Sequence, residues 1–85
     1  MNFYGVGGLL VRRWTPVRRG VALEMWNGDH WVPFANVESV LRHGGPLTED
    51  QALVLLHEAR NRIEMLTRFS DRDARIALRA PGKRA

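Results

Sequence analysis

Two short segments hold the residues with most to offer chemically. RRWTPVRR, residues 12 to 19, sets Arg12, Arg13, Arg18 and Arg19 around Trp14. Guanidiniums neutralise phosphates and an indole stacks a base, so this spacing suits a single-stranded nucleic-acid contact, which Lys83 and Arg84 near the C-terminal end would extend. The plainer reading is a set of solvated arginines beside a turn. MWNGDHW, residues 25 to 31, brings Trp26 and Trp31 to either side of Asn27-Gly28, with Glu24 and Asp29 as acidic neighbours. Large amphipathic rings rimmed by charge are frequent anchors of protein interfaces. Carboxylates beside them repel phosphates, which argues against nucleic acid on this face.

Catalytic chemistry finds fewer candidates. His30, His43 and His57 lack the His-x-x-x-His spacing and a neighbouring carboxylate pair, so no metal site is expected. Ser39 and Ser70 fall in helical and capping contexts, without the strained strand-to-helix turn of a nucleophile elbow. Gly5-Val6-Gly7-Gly8 lacks the lysine and the following helix that a phosphate loop uses. The 85 residues include no cysteine, which removes thiolate ligands, thiol nucleophiles and disulfides together. The expectation is a chain that is not an enzyme and carries no cofactor.

The net charge of +4 is unevenly distributed. Residues 1 to 19 carry +4, residues 79 to 85 carry +3, and the body between them carries −3. Two basic ends around a mildly acidic body differ from a uniformly basic nucleic-acid binder. No apolar run reaches the roughly 18 residues that a membrane span needs. The N-terminal apolar run is short, and its arginines lie on the wrong side for a secretory signal. A soluble, cytoplasmic protein is expected, the lack of cysteine fitting a reducing compartment.

These residues need elements to position them. Asn-Gly between extended, aromatic and β-branched residues signals a type I′ turn, because both central positions need positive φ. It predicts a hairpin of 21 to 26 with 29 to 34, in which Trp26 faces Asp29 and Glu24 faces Trp31. Val21, Leu23, Met25, His30, Val32 and Phe34 then share a core face, and Ala22, Glu24, Trp26, Asp29, Trp31 and Pro33 share the other. That second face is either a partly exposed aromatic patch or a satellite cluster covered by the N-terminal segment and Trp14. Upstream, GLLVRRW reads as a strand that turns at Thr15-Pro16, completing a meander of three antiparallel strands.

Past Phe34 the period changes. Asn36 caps a short helix through Val37, Val40 and Leu41, which His43 and Gly44 end. Thr48-Glu49-Asp50-Gln51 is a capping box that opens a long helix over 48 to 68, with Ala52, Leu55, Leu56, Ala59, Ile63 and Leu66 as its apolar stripe. Leu53 and Val54 widen that stripe, so either the short helix covers the flank or another chain does, as in a symmetric homodimer. Ser70 with Asp73, and Asp71 with Arg75, predict a helix over 71 to 79, although Ile76, Leu78 and Ala80 alternate as in an edge strand. Residues 81 to 85 read as a disordered basic end.

The expected architecture is one α+β domain over 1 to 80: a three-stranded antiparallel meander against one long helix, with a short helix between and a C-terminal helix. The leading functional expectation is a small interaction protein, an adaptor, regulator or inhibitor. It would bind a larger protein through Trp26, Trp31, Glu24 and Asp29 or through Leu53 and Val54. The alternative is a nucleic-acid-binding module working through Arg12, Arg13, Trp14, Arg18, Arg19, Lys83 and Arg84.

Overall fold

The computed structural model describes residues 1–18 and 21–82, and the side chains of 15–18, 21 and 22 are not among those described. The chain opens with β1 (Asn2–Val6) and β2 (Leu9–Arg18), which pair antiparallel from Asn2 with Arg13 to Val6 with Leu9. The two residues between them, Gly7 and Gly8, have φ of 56° and 84°. Consecutive positive φ values in a two-residue loop define the turn type that matches strand twist, and glycine takes it without a Cβ penalty.

β2 runs through Thr15-Pro16, where a turn was expected. Its pairing with β3 (Val21–Trp26) shifts register between Arg13 and Arg18. Pro16 therefore stands at an irregularity of the ladder, the place where a sheet tolerates a residue without an N–H. β4 (Trp31–Pro33) follows, and β5 (Gly45–Leu47) returns to the far side of β1, giving the antiparallel order β4-β3-β2-β1-β5. The expected meander is thus part of a larger, five-stranded sheet.

The β3–β4 hairpin departs from expectation in its loop. Trp26 pairs with Trp31, Met25 with Val32 and Glu24 with Pro33, so four residues, 27 to 30, form the connection. Asn27 Oδ1 accepts from the backbone N–H of Asp29 at 2.9 Å and of His30 at 2.8 Å. That side-chain turn replaces the tighter backbone turn. The register moves by two residues, an even number, so the side chains that remain in the ladder keep the face their alternation assigned, while Asp29 and His30 leave it for the loop.

Among the described residues, three helices cover the sheet. α1 (Val37–His43) starts at Asn36, whose side chain accepts from Ser39 N–H, and lies on one sheet face with Val40 against Val6, Val11 and Leu23. α2 (Glu49–Asn61) opens with the reciprocal Thr48–Gln51 capping box, and α3 (Asp71–Arg79) starts at Ser70. Glu49 meets Arg79 and His57 meets Asp71, so α2 and α3 run antiparallel. They share a core with Phe3, Leu10, Trp26 and Trp31 on the opposite sheet face. No described helix is long and apolar enough to cross a membrane.

α2 stops at Asn61, short of the expected 68. Beyond it the chain folds back around Arg60, whose Nε donates to Thr67 O and whose guanidinium lies 3.6 Å above the Phe69 ring. Phe69 thereby reaches Trp26, at 6.3 Å between ring centroids. A helix continued to 68 would point Phe69 away from that core.

Candidate functional site

Alternation along β2 separates the two adjacent arginines. Arg13 faces solvent, whereas Arg12 points to the α2–α3 side and is 0% exposed. Its Nε donates to Glu24 Oε1 at 3.0 Å, its Nη1 to Leu78 O at 2.8 Å and its Nη2 to Ala80 O. The carbonyls at the C-terminal end of α3 carry the negative end of the helix dipole, so a cation suits them. The guanidinium also lies 4.1 Å from the Trp31 ring centroid and 4.7 Å from that of Trp14. Trp14 Nε1–H donates to the same Glu24 Oε1. Burial pushes the Arg12 pKa down from its ordinary value, while the hydrogen bond and charge of Glu24 pull the other way.

This knot fastens β2, β3 and α3 together, and it leaves Arg12 with no access to a phosphate. Of the other residues in the nucleic-acid reading, Trp14 is half-buried and bonded to Glu24. Arg19, Lys83 and Arg84 lie outside the described residues, as does the side chain of Arg18. Pro81 and Gly82, assigned to a disordered end by sequence, follow α3 onto the sheet, where Gly82 leaves no room for a Cβ beside Glu24.

The aromatic patch is likewise internal. Trp26 is 3% and Trp31 1% exposed, with ring centroids 5.3 Å apart, and Glu24 is buried beside them. Each indole N–H finds a helix carbonyl: Trp26 donates to Leu56 O at 3.3 Å, and Trp31 to Ala77 O at 2.8 Å. The cover over this face comes from α2 and α3 rather than from the N-terminal segment. An exposed tryptophan face is therefore corrected to a core layer, and its physical reason is that antiparallel α2 and α3 present two apolar stripes to it. Asp29 remains half-buried, close to His30 Nδ1 at 3.1 Å and Arg60 Nη1 at 3.7 Å.

Leu53 and Val54 part company. Leu53 joins the core between α2 and the sheet, on the face opposite α1, while Val54 is 56% exposed. Ile76 on α3, also 60% exposed, accompanies it on the outer side of the helical layer. About 100° per residue separates side chains on a helix, so Val54 points away from buried Leu56, and Ile76 away from buried Ala74 and Leu78. Charged residues surround both. Asp50 and Glu58 flank Val54 on α2, Arg72 and Arg79 flank Ile76 on α3, and Arg75 joins the helices through Asp50 at 3.3 Å and Glu49 at 3.6 Å.

Among the described residues no group of three or more His, Asp or Glu side chains could hold a metal ion. A shallow, open cleft of about 470 Å³ lies over Met1, Phe3 and Leu47, with the Glu49–Arg79 pair at its rim. Its charged groups are engaged with one another. Ile76 was legible in the sequence only as part of an alternating pattern, and its outward direction depends on the choice of helix for 71 to 79. Comparison with protein-family models, curated proteins and solved structures gives no significant match.

Proposed function

We propose that this chain is a small, non-enzymatic interaction protein that binds a larger protein through the outer face of its α2–α3 layer. The observation that carries the reading is the outward placement of Val54 and Ile76 within a rim of charged residues, some of them paired between the helices, on two helices locked together from below. An apolar centre in a polar rim is the usual anatomy of a protein contact. Rigid helices also present such residues with little entropy left to lose on binding. The tryptophans and Arg12 then act as the frame that holds these helices. The cytoplasm is the proposed setting, since a chain of 85 residues without cysteine calls for no oxidising compartment.

The burial of Arg12 weighs against the nucleic-acid reading, because it takes one of the four clustered cations out of contact with solvent. The test is capture from nuclease-treated native lysate by the wild type and by Val54→Asp/Ile76→Asp. Both sites are exposed, so the variant is expected to melt like the wild type and to lose the captured protein. Full capture by the folded variant would defeat the proposal, as would a wild type whose only ligand is removed by nuclease.

A further inference from the structure

We infer that both edges of the sheet are built to refuse an added strand, β5 through Pro46 and β4 through Pro33 and the chain that follows α3. Neither a second copy nor an extended partner peptide then lengthens the sheet. This goes beyond the binding of a larger partner through α2 and α3 and does not rest on it. In the order β4-β3-β2-β1-β5 each end strand has one side without a neighbouring strand. A row of unpaired N–H and C=O groups on such a side is a template for further pairing, so where these groups go decides whether the sheet grows.

The register says which residues face outward. Val6 and Leu9 flank a two-residue turn and bond to each other, so the backbone groups of Val6 and Tyr4 turn toward β2, and those of Gly5 and Phe3 toward β5. Gly5 pairs with Gly45 and Phe3 with Leu47, and the same alternation leaves residues 44, 46 and 48 with their backbone groups on the free side. None of the three offers a donor there. Gly44 N–H donates to Val40 O at 2.9 Å, Thr48 N–H donates to Gln51 Oε1 at 2.9 Å, and Pro46 has no N–H. Two copies meeting antiparallel at β5 about a two-fold axis through residue 46 would set that residue opposite itself, where a pair exchanges two N–H···O bonds. Proline on both sides removes both bonds.

β4 is closed in a different way. Phe34 N–H donates to Leu23 O and Asn27 N–H to His30 O, so Met25 and Val32 form the hydrogen-bonded pair between them, and Trp31 and Pro33 turn their backbone groups outward. Pro33 again has no N–H. Trp31 keeps its own, yet the whole residue is only 1% exposed although it stands on an end strand. The chain after α3 lies against it: a Cβ on Gly82 would stand 3.1 Å from Trp31 O. Bonds from Trp31 Nε1 to Ala77 O and from Arg12 to Leu78 O and Ala80 O fix the end of α3 and so aim this segment at the edge.

Sedimentation velocity from micromolar to millimolar concentration, with Pro46→Val beside the wild type, tests the β5 edge. Pro46 is exposed, so the variant is expected to melt like the wild type when dilute. It is expected to self-associate about tenfold more tightly than the wild type, the scale of one or two added hydrogen bonds. Pro46→N-methylvaline, with the same side chain and no N–H, is expected to return to wild-type behaviour. Should Pro46→Val not fold, Gln51→Ala carries the test, since it frees the Thr48 N–H on the same edge and is expected to strengthen association. For β4, hydrogen exchange in the intact chain is expected to find the Trp31 amide protected, and ending the chain at Ala80 is expected to release that protection while β1 and β2 keep theirs. Four results would each overturn the inference: a folded Pro46→Val or Gln51→Ala chain that associates no more than the wild type, an N-methylvaline chain that associates like the valine one, a Trp31 amide that exchanges at the unfolded rate in the intact chain, or one that stays protected after the truncation.

Discussion

Replacing Arg12 by methionine keeps most of the aliphatic stem and removes the charge. In the folded protein this deletes the hydrogen bonds to Glu24, Leu78 O and Ala80 O at a site that is 0% exposed. Glu24 would be left as a buried carboxylate with only the Trp14 indole N–H for a partner among these groups, and the end of α3 would lose its cation. Breaking a buried ion pair from one side costs about 3–5 kcal/mol. At roughly 0.05–0.15 kcal/mol per residue a domain of this length has on the order of 4–13 kcal/mol in total, so a large share of the stability is at stake. Urea titration followed by circular dichroism measures the loss. Adding Glu24→Met to the same chain removes the stranded charge, and the pair is expected to cost less than the sum of the single changes by about 1–3 kcal/mol. An Arg12→Met protein within about 0.5 kcal/mol of the wild type would refute the reasoning, since surface changes have that size. It would also return Arg12 to the set of cations free to meet phosphate.

Gly28→Ala is expected to destabilise by about 1–3 kcal/mol, because the residue has a φ of 102° and its new Cβ would stand 2.9 Å from Ala59 O, a backbone atom that cannot swing aside; an unchanged melting temperature would contradict the loop described for 27 to 30. Thr48→Ala is expected to cost about 1 kcal/mol through the lost cap of α2, read in the same titration. Arg79 and then Arg75 hold the Glu49 carboxyl below its usual range. A depressed folded pKa contributes stability above the unfolded value and loses it as pH falls through the folded one. The melting-temperature gap between wild type and Arg79→Gln is therefore expected to close as pH falls below about 4.3 toward the lower folded value. A gap independent of pH would dissociate the pair from stability.

Much of the helical layer was legible because its signals are local. Asn36, Thr48 and Ser70 each cap a helix through a side chain that bonds the backbone three residues on. The sheet was less so. Gly7-Gly8 carries the same two-residue turn signal as Asn27-Gly28, yet β1 was missed for want of an alternating apolar pattern in NFYGV. Asn27-Gly28 was assigned the tighter turn because nothing local reveals that Gly28 must also let α2 approach. The exposure of Trp26 and Trp31 depended on whether the helices would cover both tryptophans, a long-range question that strand alternation leaves open. Arg12 was grouped with its neighbours by spacing, although strand geometry turns adjacent residues to opposite faces; its buried role follows only once Glu24 and the end of α3 are beside it. Val54 alone of the expected contact residues is prominent at the surface, because the apolar excess of α2 is absorbed by the sheet on the Leu53 side only.

The claim that the outer face of α2 and α3 is the contact surface is tested most directly by placing a photo-crosslinking benzophenone side chain at Val54, with Arg13 on the other sheet face as the comparison site. Irradiation in native lysate is expected to give one discrete protein adduct from position 54, resistant to nuclease and suppressed by Ile76→Asp. Adducts arising only from position 13 and abolished by nuclease, or no adduct from position 54 in a folded protein, would contradict it.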